Sequence, residues 1–436
     1  MTSPTTTLSD ALAAQQERLL PCVHCGFCLP VCPTYTRLGD ENDSPRGRLH
    51  LMRHVVEGRM NPASDAFRTH IDRCLGCRAC EPVCPSGVEY GTLLELARET
   101  VAEHHPPSRL TRMLLTVFAS RTLRAAVLFP GRVIRSLGLA SLMGRVVPAV
   151  GPLRGAKLGM AMLAATRRWV PPKVSAEQRG VAPNAVPTPR GRVGVLEGCV
   201  QQGLFSHVND ATVRVLEANG YLVVPVKRQG CCGALHVHSG DLDGARTLAA
   251  ANIKAFELVD VDWIVVNAAG CGAAMQDYGT LFEADAEWSE RAGTFAARVK
   301  DATELLADAG PRQGAEVVCS IAYDHPCHLL HAQRVETAPL QVLGAVPGAE
   351  VRVVDRADEC CGGAGIYGIT HPELGGQIGR DKVAAVRACG ADALATPNPG
   401  CMMQIGAGLF LEGAPEGVLH PVELLDTSYL RAGFYD

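Results

Sequence analysis

The sequence predicts a mixed α and α/β protein, in which a helical, cysteine-clustered N-terminal domain precedes two repeated parallel α/β units. Three observations lead there. Two identical cysteine quartets fall between residues 22 and 84, the C-terminal half repeats one strand and helix pattern with matched cysteine spacing, and composition changes sharply between these parts. The changes divide the chain into residues 1–104, a basic apolar stretch 105–190, a first α/β unit 191–315 and a second 316–436. With 436 residues, 47% of them hydrophobic, the chain can bury several cores, which excludes a disordered protein.

In the first region Cys22, Cys25, Cys28 and Cys32-Pro33 make the run C-x2-C-x2-C-x3-C-P, and Cys74, Cys77, Cys80 and Cys84-Pro85 repeat it. This is the bacterial ferredoxin run, whose fourth cysteine ligates the other cluster when two are present. Three thiolates on one tight loop reach three irons of a cube, while the fourth, beyond the loop, points elsewhere. The expected ligands are therefore Cys22, Cys25, Cys28 and Cys84 for one [4Fe–4S] cluster, and Cys32, Cys74, Cys77 and Cys80 for the other. Zinc also uses C-x2-C pairs, but needs neither a third cysteine two residues on nor the closing Cys-Pro. Phe27, Tyr35 and Thr36 read more simply as packing residues than as groups that tune a potential.

The second region has no acidic residue between Glu103 and Glu177, and twelve arginines and lysines lie among Leu, Val and Phe. That pattern suits helices lying on an anionic membrane surface, or packed on an acidic partner. Residues 171–191, rich in Pro and poor in apolar runs, read as an extended linker.

In the third region an apolar strand leads to Cys199, a helix and a strand lead to Cys231-Cys232-Gly233, and a helix and a strand lead to Cys271. The second copy runs through Cys327, Cys360-Cys361-Gly362 and Cys401 in the same way. Intervening spacings are 31 and 38 residues in the first copy, 32 and 39 in the second. Such agreement marks two copies of one parallel-sheet unit, with cysteines at the C-terminal ends of strands, where open α/β sheets hold ligands. Each unit offers four thiols. They suit a further iron–sulfur cluster, redox or structural thiols, or zinc or haem ligation. His236, His238, His325 and His328 flank these cysteines; they could ligate or relay protons, but read first as loop caps. Cys319 and Cys389 lack counterparts in the first copy and read as ordinary buried cysteines. Gly363, Gly365 and Gly368 satisfy G-x-G-x-x-G, but they follow a cysteine pair, so close backbone approach explains them better than a dinucleotide.

Eighteen cysteines point to metal rather than disulfides, because Met1–Asp10 has neither a basic start nor an apolar core of a secretory signal. Arginines interrupt every long apolar stretch, so no membrane span is expected. The net charge of −4 carries no sign of a nucleic-acid partner.

The segments CVHCGFCLPVCPTY, LGDENDSPRGRLHLMRHVVEG, DRCLGCRACEPVCPSGVEYG, LEGCVQQG, GCCGA, AAGCGA, ECCGGAG and NPGC together resemble the iron–sulfur subunit of bacterial glycolate oxidase. The resemblance spans most of the chain outside residues 105–190. It implies a cytoplasmic protein, peripheral on the inner face of the cell membrane, that takes electrons from an FAD-binding 2-hydroxy-acid dehydrogenase partner toward a membrane acceptor such as quinone. No flavin is expected in this chain, nor a catalytic residue for the substrate. Neighbouring families imply D-lactate or glycerol-3-phosphate dehydrogenase subunits, or a heterodisulfide-reductase-like thiol/disulfide catalyst. In relatives resembling heterodisulfide reductase a fuller cysteine motif carries five ligands per unit; here Asn267 to Cys271 and Asn398 to Cys401 each retain a single cysteine. A metal-stapled interaction scaffold is the non-redox reading, and the ferredoxin quartets argue against it.

Overall fold

The computed structural model describes residues 16–151, 153–171 and 188–435, together with Leu12. Three helices close around the N-terminal cysteine loops: α1 (Pro45–Val56), α2 (Asp65–Asp72) and α3 (Tyr90–His104). Ser44, in extended conformation, accepts from the Gly47 amide at 2.9 Å and Pro45 opens the first turn, so α1 begins where two start signals coincide. Ser64 caps α2 in the same way through the Phe67 amide. The apolar faces of the three helices supply Leu49, Met52, Phe67, Ile71, Leu93 and Ala97 to one core that also contains Cys74 and Cys80. Each fully buried large side chain contributes roughly 1.5–3 kcal/mol, and here the same burial keeps water from the thiols.

The acid-free segment forms four helices: α4 (Arg109–Ala119), α5 (Arg121–Ser136), α6 (Leu139–Val146) and α7 (Leu153–Ala165). Ser108 and Ser120 cap the first two through the amides of Thr111 and Leu123. Arg109, Arg112, Arg121, Arg145 and Arg154 are exposed, with Met113, Leu123, Val127, Phe129 and Leu142 exposed among them. Arg124 and Arg135 depart from the expected outward-facing pattern. Arg124 is buried, and Arg135 donates to the carbonyls of Thr166 and Leu204, tying the segment to the first α/β unit. The end of the segment packs on the second unit, where a Cβ on Gly406 would lie 2.8 Å from Ala165 Cβ. Among the described residues no single helix is long and apolar enough to cross a membrane; α4 and α5 reach that length only across a 105° bend. Most of the expected linker lies outside the described residues.

The first unit contains β1 (Gly191–Val195), α8 (Ser206–Ala218), β2 (Tyr221–Val223), α9 (Leu242–Glu257), β3 (Trp263–Val266), α10 (Ala269–Gln276) and β4 (Val299–Asp301). The second contains β5 (Cys319–Tyr323), α11 (Ala338–Gly344), β6 (Ala349–Val353), α12 (Pro372–Ala388), β7 (Ala393–Ala395), α13 (Pro399–Leu411), β8 (Gly417–Leu419) and α14 (Pro421–Ala432). Both sheets are parallel and four-stranded, ordered β2-β1-β3-β4 and β6-β5-β7-β8. Val193 pairs with Val223 on one side and Trp263 on the other, and Ile321 likewise with Val351 and Ala393. The central strands read VGV and WIVV because parallel strands covered on both faces need no polar alternation. The fourth strands, β4 and β8, were not anticipated: at three residues each they are too short for periodicity to show.

One continuous core joins the two units, running from Val193 and Val215 to Leu425 and Tyr429. At its edge Arg214 donates two bonds, 2.8 and 2.7 Å, to Asp426, and Asn219 bonds the Tyr429 hydroxyl.

Candidate metal centres

The two ferredoxin runs fold into matching loops. His24 and Gly76 occupy equivalent positions and both have positive φ, 55° and 66°, as do Gly26 and Arg78, at 89° and 60°. Left-handed residues turn successive amides toward the loop interior, which makes a concavity for negative charge; the Gly76 amide accordingly donates to Cys74 Sγ at 3.4 Å. Arg46 holds the first loop by donating to the His24 carbonyl at 3.0 Å.

The structure groups the eight thiols across the two runs. Cys22, Cys25 and Cys28 line one cavity with Cys84, which Cys80 also borders. Cys32 lines a second with Cys74, Cys77 and Cys80. Both cavities therefore mix the runs. Cys25 is exposed and sits beside the exposed Val23 and Phe27, whereas the four thiols of the second cavity are buried.

A buried cation stands at the second cavity. Arg48 is fully buried and donates to the His70 carbonyl, to Thr34 Oγ1 and to Asp43 Oδ1. Burial opposes ionisation of the Cys74 thiol, but the Arg48 and Arg98 guanidinium groups outweigh it and hold Cys74 below the usual thiol range. Burial and neighbouring thiols push Cys77 and Cys80 well up. Four crowded thiols with a cation at their edge form a donor set that fits iron, since bound metal removes the cost of ionising them.

Each α/β unit also gathers its four cysteines. Cys199 follows β1, Cys231 and Cys232 follow β2, and Cys271 lies in α10 after β3, at the switch point of the sheet. Cys231 Sγ lies 3.5 Å from Cys199 Sγ, and Cys232 bridges Cys231 and Cys271. In the second unit Cys361 Sγ lies 3.4 Å from Cys401 Sγ, and Cys360 links Cys361 to Cys327. Gly233 and Gly362 complete the turns with φ of 87° and 79°; a Cβ on Gly362 would lie 2.5 Å from the Gly375 carbonyl oxygen. Gly363 likewise approaches Gln404, which accounts for the glycine-rich stretch without a nucleotide.

Thiolates around one tetrahedral zinc sit about 3.8 Å apart, given Zn–S bonds of about 2.3 Å. Among the described residues the one trio of ligand atoms within 4.8 Å of one another is Asp40, Asp43 and His70, not three cysteines. Asp43 is already bonded by Arg48 and Arg73, so that trio is a charge network. No three thiols among the described residues come that close together, although single pairs do, Cys199 with Cys231 and Cys361 with Cys401.

The units differ in charge. Lys382 and Asp324, both buried, pair at 2.7 Å beside Cys361, where the first unit has Asn252 bonding the Cys231 carbonyl. Hydrogen bonds from Cys360 and Cys401, with the Lys382 charge, hold the Cys361 thiol well below its usual range. The sequence reading missed Arg48, Arg98 and Lys382, because lone basic residues in helices look solvated; only Arg48, inside PRGR, lay in a segment singled out.

Of the four flanking histidines, His328 bridges two parts of the chain. His328 Nε2 lies 2.9 Å from the Gly76 carbonyl, fixing the second unit to the second ferredoxin loop. His325 packs edge-on against Tyr323, and His238 lies 5.3 Å from His328. His236 is buried with Nδ1 unpaired. Cys319 is buried as expected, and Cys389 is half-buried at the end of α12. Cys77 packs in one cluster with Cys327 and Cys360, so the second ferredoxin cavity abuts the second unit.

A family described as "4Fe-4S dicluster domain" matches residues 18–88, and one described as "Cysteine-rich domain" matches 193–276 and 321–406. The chain is 39% identical over 428 residues to the "Probable glycolate oxidase iron-sulfur subunit" of Bacillus subtilis (strain 168), covering 96% of this chain and 95% of that one. It is 34% identical over 409 residues to the "Glycolate oxidase iron-sulfur subunit" of Escherichia coli (strain K12), covering 91% and 92%. It is also 26% identical over 423 residues to a subunit of the CoM/CoB fumarate reductase of Methanothermobacter marburgensis, covering 95% and 73%. With thiol sets that fit iron–sulfur clusters and relatives that match from end to end, the chain belongs to the family of glycolate oxidase iron–sulfur subunits.

Proposed function

We propose that this chain carries electrons in a glycolate-oxidising complex, from an FAD-binding partner subunit toward a membrane acceptor. One observation carries the reading: thiol sets adjoin in series, the Cys22–Cys28 loop with its exposed Cys25 meeting the buried Cys74–Cys80 loop at Cys80, and that loop meeting Cys327 and Cys360 at Cys77. The proposed ligands are Cys22, Cys25, Cys28 and Cys84 for one cluster and Cys32, Cys74, Cys77 and Cys80 for the second, which the two shared cavities support. Cys199, Cys231, Cys232 and Cys271, and Cys327, Cys360, Cys361 and Cys401, are proposed to hold further centres.

When bound, such clusters pass single electrons. The protein's part is to hold the ligands rigidly and keep water away. Arg48 and Arg98 offset the negative charge of the second set, and Leu75 and Tyr367 seal it from solvent. His328 keeps that loop registered on the second unit. A hydride cannot be accepted by one-electron centres, so substrate oxidation falls to the partner. The exposed arginines and apolar residues of α4–α6 are proposed to lie on the inner face of the cell membrane.

Glycolate added anaerobically to the complex should reduce flavin first and these clusters second; added to the isolated chain it should leave them oxidised. Reduction by D-lactate or glycerol 3-phosphate with glycolate inert would move the assignment to a neighbouring dehydrogenase. The close thiol pairs Cys199–Cys231 and Cys361–Cys401 favour a second reading, in which the α/β cysteines split a disulfide; rapid disulfide-dependent oxidation of prereduced clusters would support it.

A further inference from the structure

A cavity of about 530 Å³ lies where the N-terminal domain meets both α/β units. Its size is that of a small-molecule site, and its position sets it apart from the thiol cavities. Leu75 and Tyr367 line it and also pack against Cys77 and Cys360. One layer of side chains therefore separates the cavity from thiols of two proposed centres. Polar groups converge from all three parts: Arg98 from α3, His238 from the first unit and His371 from the second. His371 stacks on Tyr367 with ring centroids 4.4 Å apart, and Arg98 is anchored by a 2.6 Å bond to the Cys74 carbonyl. The remaining wall mixes polar and apolar groups, with Arg68, Asp72, Arg73 and His105 beside Val101, Pro106, Leu235 and Ile366.

The fourth side is formed by the start of α4, through Ser108 and Thr111, and a neighbouring groove continues along Arg112 and Leu115. That helix and the next expose Leu110, Met113, Leu123, Val127 and Phe129 in a stretch without acidic residues. The groove itself is polar, with Glu99, Glu103, Asp241 and Asp243 beside Arg112, so a ligand dissolved in lipid beneath α4 and α5 would enter past the rim at Ser108 and Thr111.

We propose that this cavity binds the headgroup of a membrane quinone and is where electrons leave the chain. The proposal rests on the electron-transfer reading above and deepens it. The quinone accepts two electrons, delivered one at a time as reduced clusters are reoxidised, and its two carbonyl oxygens each take a proton to give the quinol. Arg98, His238 and His371 supply hydrogen bonds to those oxygens, and the two imidazoles pass protons from solvent. Three arginines in the wall also suit a small carboxylate, but Arg73 is already paired with Asp43 and Arg68 with Asp65.

The test uses the complex with its flavin partner in anionic liposomes, with glycolate as donor and either a short-chain naphthoquinone or a water-soluble dye as acceptor. His371→Phe, which keeps the stacking and removes the ring nitrogens, and Ile366→Trp, which fills the cavity, should each lower the quinone-to-dye rate ratio by about tenfold or more, equivalent to losing about one good hydrogen bond. Wild-type complex exposed to an azidoquinone and light should be labelled within residues 235–239 or 364–371, a readout that does not depend on either variant folding. A ratio equal to wild type in both variants, labelling confined elsewhere, or a variant that changes the KM for glycolate rather than for quinone would overturn the proposal. Failure of glycolate to reduce any cluster in the wild-type complex would instead overturn the electron-transfer reading.

Discussion

Replacing Lys382 with methionine isolates the part of the second α/β unit that has no equivalent in the first. Lys382 Nζ is bonded to Asp324 Oδ1 at 2.7 Å and to the carbonyls of Arg356 and Ala357 at 2.8 and 3.3 Å, just before Cys360. Lys382 and Asp324 are 4% and 1% exposed, so neither charge has water to fall back on. Burial opposes the charged form of Lys382, but Asp324 outweighs it and lifts its pKa, so the lysine is charged and the pair is fully ionised only above the Asp324 pKa. Breaking a buried pair by removing one partner costs about 3–5 kcal/mol. At roughly 2–4 °C per kcal/mol for larger domains, the melting temperature should fall by about 6–20 °C. Burial has already pushed Asp324 up to about 7, and without Lys382 it should rise further. The loss should therefore be larger at pH 8, where Asp324 must ionise alone, than at pH 6, where a proton replaces the lysine. Adding Asp324→Asn removes the stranded charge, and the double variant should recover part of the loss, with a coupling of about 0.5–3 kcal/mol. Anaerobic thermal melts at both pH values measure all three effects. A single variant as stable as wild type, or a double variant no better than the single, would refute the claim that an ionised pair holds this loop.

Anaerobically purified chain should contain at least eight irons and eight labile sulfides, and Cys25→Ser or Cys77→Ser should each remove one cluster's share; stoichiometric zinc without sulfide would contradict this. Replacing Cys231 and Cys232 by serine should lower iron below the wild-type value and abolish turnover of the assembled complex, whereas unchanged iron with lost turnover would assign the α/β cysteines to thiol chemistry or folding. His420, which caps α14 by accepting from the Val422 amide, is pushed down to about 3 by burial. The unfolded chain gains a proton there below about pH 6.5 while the folded chain does not, so stability falls from about pH 6.5 toward 3. His420→Asn keeps a cap and should make that fall about 2 kcal/mol smaller at pH 5; equal acid sensitivity in the two proteins would count against a buried neutral imidazole.

Spacing alone carried a great deal here, because cluster ligation constrains sequence locally. C-x2-C-x2-C-x3-C-P specifies a loop conformation, and the left-handed His24, Gly26, Gly76 and Arg78 follow from it. The α/β repeat was legible for a similar reason: Cys199, Cys231, Cys232 and Cys271 recur at the spacing of one strand–helix unit, so the counterpart set Cys327, Cys360, Cys361 and Cys401 could be named with it. Short strands such as β4 and β8 escaped, since three residues carry no measurable period. What only the tertiary structure decided was how the parts meet. That Arg48 and Arg98 neutralise the Cys74 loop depends on helices folding back over residues distant in sequence. That Cys77 packs with Cys327 and Cys360, and that a cavity opens among Arg98, His238 and His371, depends on the docking of three domains. Local patterns encode ligands because covalent reach along a loop is short. Electrostatic balance and the order of the centres arise from contacts across hundreds of residues, and no spacing within one segment records them.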